Sequence, residues 1–151
     1  MTAAAHLTIR IARSSDSTRI SELSSQLGYE TSADQVDQAV GTRWLLVAEI
    51  GNEVVGWIQL QVQSSILAED RGVITGMVVD KRHRRSGIGR GLVEETTRPA
   101  RSEGLSTLRV RSRSDREDAH DFYRALGFRE LKVQKILDFH IPEPADDANG
   151  T

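Results

Sequence analysis

The segment Val78-Val79-Asp80-Lys81-Arg82-His83-Arg84-Arg85-Ser86-Gly87-Ile88-Gly89-Arg90-Gly91-Leu92 constrains this chain more than any other stretch. Residues 73–79, which lead into it, are apolar on both faces of an extended run, the pattern of a central strand. A helical pattern follows from about residue 89 to 103, closed by Gly104. Glycines at the junction allow positive φ and a close approach of backbone to ligand. The start of a helix adds unpaired N–H groups and partial positive charge, which favour phosphate. Arginines on both sides can add charge-assisted, often bidentate bonds to phosphate oxygens. Lys81, Arg82, Arg84, Arg85 and Arg90 are unopposed by any acid after Asp80. A solvated basic loop around a tight turn is the plainer reading, and the strand–turn–helix context argues for an anion site instead. The glycine spacing is not G-x-G-x-x-G, because Leu92 stands at the decisive place, and no G-x-x-x-x-G-K-[ST] run exists. Dinucleotides and nucleoside triphosphates held in the usual ways are therefore disfavoured.

The rest of the chain reads as alternating strands and helices. Leu7, Ile9 and Ile11 alternate with polar residues as a first strand. Asp16 opens a helix with Ile20, Leu23 and Leu27 on its apolar face, stopped by Gly28. Ser32 and Gln35 have capping-box spacing for a short helix carrying Val36 and Val40. Residues 44–50 and 54–63 form a hairpin turned at Gly51-Asn52, and 64–71 reads as a loop. Residues 107–112 make a strand with Leu108 and Val110 inward. Residues 115–126 make a helix with Ala119, Phe122, Tyr123 and Leu126 on one face, and 128–139 supplies one or two last strands. This interleaving is a mixed α/β or α+β sandwich. At 151 residues, without repeats or long linkers, a single domain over 1–141 is expected, with a disordered tail over 142–151.

Composition removes several classes of function. The absence of cysteine excludes disulfides, thiolate metal sites and a cysteine nucleophile. His6, His83, His120 and His140 lack metal-ligand spacing, so no metal is expected. A net charge of −2 argues against a nucleic-acid partner. No run approaches the roughly 18 apolar residues of a membrane span. The N-terminus also lacks the features of a signal peptide, so a cytoplasmic, non-membrane protein is the expectation.

Arg84-x-x-Gly87-x-Gly89 matches the R/Q-x-x-G-x-G/A signature, and with it the chain resembles the GCN5-related N-acetyltransferases, the GNAT superfamily. Ala119-x-x-Phe122-Tyr123-x-x-x-Gly127-Phe128 resembles the second hallmark of that family. The likeness is good over residues 73–139 and one of layout over the first seventy. It implies a mixed, mostly antiparallel sheet of six to seven strands flanked by about four helices. It further implies an N-acetyltransferase passing the acetyl group of acetyl-CoA to a primary amine by direct attack in a ternary complex. Arg84, Arg85, Ser86, Gly87, Ile88, Gly89 and Arg90 would hold the pyrophosphate. Met77, Val78 and Val79 would line the pantetheine arm, with an oxyanion donor among their amides. Tyr123 would be the general acid to the departing thiolate, although periodicity alone makes it a core residue. Arg116 replaces an asparagine frequent in the family, Lys81 a frequent proline, and Pro99 should kink or shorten its helix.

The general base is not legible. Glu69 and Asp70 are the nearest acids in sequence, and a solvated loop is the alternative for each. The acceptor would lie against residues 16–40 and 64–71, where Glu22, Glu30, Asp34 and Asp37 offer negative charge and Tyr29 and Trp57 could frame a pocket. A small-molecule or peptide amine fits equally. A longer-chain or protein acyltransferase of the same fold, and a non-catalytic acyl-CoA-binding regulatory module, are the rival readings. The resemblance also admits a homodimer through an edge strand near the C-terminus.

Overall fold

The computed structural model describes residues 6–145. The chain divides into two compact units, Met1–Ser112 and Arg113–Thr151. The first is built on a five-stranded sheet in the order β1 (Leu7–Ile11), β2 (Leu45–Ile50), β3 (Glu53–Ser65), β4 (Ala68–Val79) and β5 (Leu108–Val110). β1 to β4 run antiparallel in sequence order. β5 runs parallel to β4 and pairs only Leu108, Arg109 and Val110 with Gly72, Val73 and Ile74.

The β2–β3 hairpin turns at Gly51, whose φ of 62° suits glycine in a tight two-residue connection. The helices are α1 (Ser17–Ser25), α2 (Ala33–Ala39) and α3 (Ile88–Ser102). Ser32 caps α2 by accepting from Gln35 N–H at 3.1 Å, while Ser32 N–H donates to Gln35 Oε1 at 3.0 Å, the reciprocal box its spacing predicts. Ile20 and Leu23 of α1 and Val36 of α2 pack with Leu45, Val47, Val54 and Val78. Ile88 and Leu92 of α3 are likewise buried, and Gly56 of β3 is their close neighbour.

Two expectations about this unit are corrected. Residues 64–71 are not a loop: the β3–β4 ladder continues through Gln63 opposite Arg71 to Ser65 opposite Ala68. This end of the ribbon is largely exposed, so its residues show no apolar alternation to read. Pro99 does not shorten its helix, which continues to Ser102, with Glu103 N–H donating to Pro99 O at 3.0 Å. It lies in the last turn, where a missing N–H removes one helical bond near an end that frays in any case.

The second unit contains α4 (Glu117–Ala125). Residues 128–145 carry no regular structure, so the expected last strands are not formed, and the described residues contain five strands rather than six to seven. A strand exists only with a hydrogen-bonded neighbour, and among the described residues this stretch has none. Its Leu131, Val133, Ile136, Leu137, Phe139 and Ile141 are all exposed. The expected disordered tail begins at Pro142, and its residues 146–151 lie outside the described residues.

Candidate cofactor site

Beyond Ile74, β4 has no partner on its β5 side among the described residues. Asp80 N–H donates to Val55 O at 2.8 Å. Backbone groups alternate sides along a strand, so Val78 turns with Asp80 towards β3 while Met77 and Val79 turn to the open side. Of the three residues expected to line a pantetheine arm, the amides of Met77 and Val79 are thus the available ones. Val78 contributes a side chain to the core instead.

The chain leaves β4 through a short 3-10 turn, Lys81–His83, and reaches α3 through Arg84, Arg85, Ser86 and Gly87. The N–H groups of the 3-10 turn are all satisfied from within the protein. Lys81 N–H donates to Gln26 Oε1 at 3.0 Å, Arg82 N–H to the Asp80 carboxylate at 3.2 Å, and His83 N–H to Asp80 O at 2.8 Å. Ser86 Oγ donates back to His83 O, which ties the turn to itself. Gly87 is the cap residue of α3 with a φ of 85°, and no side chain caps the helix. The first helical bond runs from Gly91 N–H to Gly87 O at 3.0 Å. Ile88, Gly89 and Arg90 therefore present N–H groups that no helical carbonyl can take.

Arg84 donates from Nε to Val79 O at 3.3 Å, holding the turn against the end of β4. Arg85 adopts a φ of 64°, the one non-glycine residue in the left-handed region among those described. Such a conformation disfavours a residue with a Cβ by about 1–2 kcal/mol. Arg84 and Arg85 are exposed and have no acidic partner among the described residues. Arg90 reaches Glu94 at 3.5 Å. Free amides, a cap without a side chain and guanidinium groups without an acidic partner fit a pyrophosphate chemically, and the open side of β4 fits an amide-bearing arm.

Asp80, which sequence reading passed over, is the most constrained charged group of this region. It is 1% exposed and accepts from Arg19 Nη2 at 2.7 Å, Arg82 Nη2 at 3.0 Å and Gln26 Nε2 at 3.4 Å. Burial alone would raise its pKa. The bonds from the Arg82 side chain and backbone, Gln26 and Arg19 outweigh burial and hold it well below the ordinary carboxylate value. An Asp directly after an apolar strand and two residues before Arg82 is the local signal of a turn cap. The Arg19 and Gln26 partners, more than fifty residues away in sequence, carry no such signal.

Glu69 and Asp70 fall near the start of β4 and are exposed. Asp70 lies seven positions before Met77 on this strand, about 23 Å at the rise of an extended chain. Neither acid comes within direct hydrogen-bond reach of the open Met77 and Val79 amides.

In the second unit, Tyr123 lies on α4 with its ring edge-on to Phe122 at 5.0 Å and to Phe128 at 5.3 Å. Burial raises its phenol pKa above the ordinary 10.0, with the Arg116 charge opposing. The phenol thus stays protonated through the neutral range, as a proton donor must. Arg116 precedes α4 as its cap residue without making a side-chain cap.

A model of the Acetyltransferase (GNAT) family matches residues 9–128. Human N-acetyltransferase 8 is 33% identical over 85 residues, which cover 56% of this chain and 37% of that protein. The chain thus spans little more than a third of that relative's length. Among solved structures, the aminoglycoside N-acetyltransferase AAC(6')-Iy in complex with CoA superposes with a TM-score of 0.82 at 14% identity, over 93% of this chain and 99% of that one. A ribosomal-protein-alanine N-acetyltransferase from Brucella melitensis gives 0.73 at 16% identity, over 89% and 100%. An acetyltransferase from Trypanosoma brucei gives 0.70 at 24%, also over 89% and 100%. Identities this low speak to the fold. Because the family match runs from β1 to the residues just past α4 and takes in both sequence motifs, the chain belongs to the Acetyltransferase (GNAT) family.

Proposed function

We propose that this chain is an acetyl-CoA-dependent N-acetyltransferase acting on a primary amine of a small molecule or peptide. The observation that carries the reading is the open side of β4 leading directly into an uncapped, arginine-flanked helix start. Bound there, acetyl-CoA supplies an activated thioester whose carbonyl carbon an amine can attack. The amides of Ile88, Gly89 and Arg90, with Arg84 and Arg85, hold the pyrophosphate. The Met77 or Val79 N–H faces the carbonyl oxygen, where one preorganised donor is worth on the order of 3 kcal/mol in the transition state. Tyr123 gives its phenolic proton to the sulfur as the C–S bond breaks, and the raised pKa requires that transfer to be coupled to the developing charge. The nitrogen proton leaves to water, and water returns a proton to the Tyr123 phenolate. Glu69 and Asp70, about 23 Å or more along β4 from Met77, are too far to take the nitrogen proton directly or through a single bridging water.

The acceptor reading stays at the level of an amine. Two of the named neighbours carry their acceptors in their names, an aminoglycoside and a ribosomal-protein alanine, and both acceptors carry amines. A second copy of the chain is the partner we assign to the exposed apolar run from Leu131 to Ile141, a stretch that needs a hydrogen-bonded neighbour to become a strand. The direct test is release of free CoA thiol from acetyl-CoA in the presence of an aminoglycoside, a polyamine, an amino acid and an alanine-terminated peptide. Thiol release above the amine-free rate with one of these supports the enzyme reading. Tight CoA binding with no release across such a panel would favour a regulatory acyl-CoA-binding module.

A further inference from the structure

We infer that Asp80 is a positioning residue for acetyl-CoA, fixing the phosphate turn against β4 and against α1 at once. The inference rests on the acetyl-CoA reading above and adds a residue outside both family motifs. Asp80 follows Val79, whose amide faces the open side, and precedes the 3-10 turn. Its N–H bonds to Val55 O on β3, its carbonyl accepts from His83 N–H, and its carboxylate accepts from Arg82 N–H. One residue thus fixes both the last open amide of β4 and the direction in which the turn departs.

The carboxylate is then held from α1. Arg19 donates to it at 2.7 Å and also to Val54 O at 2.9 Å, so the guanidinium spans from β3 to the end of β4. Gln26 donates to Asp80 at 3.4 Å while accepting from Lys81 N–H at 3.0 Å. Glu53 accepts from both Arg19 and Arg82, at 3.2 and 2.9 Å, closing the ring of charges. With Lys81, Arg82 and His83 amides all turned inward by this network, only amides from Arg84 onward can face an anion. A buried carboxylate with this many donors in a low-dielectric setting is held to one geometry. The consequence is a preformed anion cradle, whose affinity does not include the loss of ordering the turn on binding.

Two variants of the full chain test this. Asp80→Asn keeps the shape and removes the charge. Gln26→Leu removes only the link from the C-terminal end of α1 to Asp80 and Lys81 and touches nothing in the cradle. CoA is titrated by calorimetry at a temperature where circular dichroism shows each variant fully folded. Dissociation constants for CoA should rise by about tenfold for Asp80→Asn and about threefold for Gln26→Leu. A merely structural role would lower the unfolding temperature but leave the Kd of the folded fraction alone. Unchanged CoA affinity in the folded variants overturns the positioning role, and if Asp80→Asn does not fold, Gln26→Leu decides alone. Failure of the unaltered chain to bind CoA would instead overturn the acetyl-CoA reading on which this one rests.

Discussion

The same substitution at two glycines that flank one interface should have opposite effects. A Cβ at Gly56 would sit 2.9 Å from Val78 O and 3.3 Å from Leu92 Cδ1. The first is backbone of the neighbouring strand, and Leu92 is fully buried at 0% exposure, so neither can move without shifting β4 or α3. Overpacking of this kind destabilises by about 1–3 kcal/mol. The reduced freedom of the unfolded chain returns about 0.4–1 kcal/mol for Gly→Ala, which leaves a net loss of up to about 2.6 kcal/mol and of about 1.3 kcal/mol at mid-range. At Gly91, inside α3, a Cβ meets Ile9 Cδ1 at 3.1 Å and Leu7 Cδ2 at 3.8 Å, the far ends of flexible side chains. Alanine is favoured over glycine in a helix interior by about 0.8–1 kcal/mol, so Gly91→Ala should be neutral or stabilising. For a chain of this size 1 kcal/mol corresponds to about 2–4 °C. The unfolding temperature by circular dichroism should therefore fall by about 3–5 °C for Gly56→Ala and stay level or rise by up to about 4 °C for Gly91→Ala. A neutral Gly56→Ala would refute the close seating of α3 on the sheet, and with it the placement of the helix start that the anion site depends on.

Further outcomes follow from the same geometry. Tyr123→Phe should lower kcat by about 100-fold or more while leaving CoA affinity unchanged. Turnover equal to that of the unaltered chain would remove the phenol from the mechanism. The folded-state pKa values of Asp16 (through Arg10) and Asp80 (facing Arg19, Arg82, Gln26 and Glu53) lie below their unfolded values. Their contribution to stability is thus present above about pH 4 and lost as pH falls below it. The decline in urea-unfolding stability below that pH should be shallower in Asp80→Asn, and an equal slope would show that Asp80 is not charge-paired. Gel filtration with light scattering should give twice the mass of the 16.7 kDa chain. Leu137→Asp together with Phe139→Asp should shift it to monomer, and a monomeric parent chain would leave the exposed apolar run without the proposed partner.

Sequence patterns located what depends on neighbours in the chain. The Ser32–Gln35 box, the Gly51-Asn52 turn and the glycine-bearing entry to α3 were all legible, because caps and turns are satisfied within a few residues. The motif around Arg84, Gly87 and Gly89 pointed to an anion, and the structure supplies its uncapped helix start and open amides. Patterns that depend on distant partners misled. Residues 128–139 have the apolar content of a strand, yet pairing is decided by a neighbour that composition cannot supply. Glu69 and Asp70 are near the open amides in sequence but far along an extended β4, because a strand converts short separations into long distances. The Asp80 network was invisible because Arg19 of α1 and Gln26, the residue just after that helix, read as ordinary polar positions until the fold brings them to the end of β4.

The central claim is that the turn from Arg84 to Arg90 binds acetyl-CoA, and thermal unfolding with and without that ligand tests it most directly. At about a hundred times the dissociation constant, a ligand of the folded state adds roughly 2.7 kcal/mol, which for this chain is a rise of about 5–10 °C. Acetyl-CoA and CoA should both produce that rise, NAD and ATP should not, and Arg84→Ala should reduce it. An unfolding temperature that does not move at saturating acetyl-CoA would contradict the account.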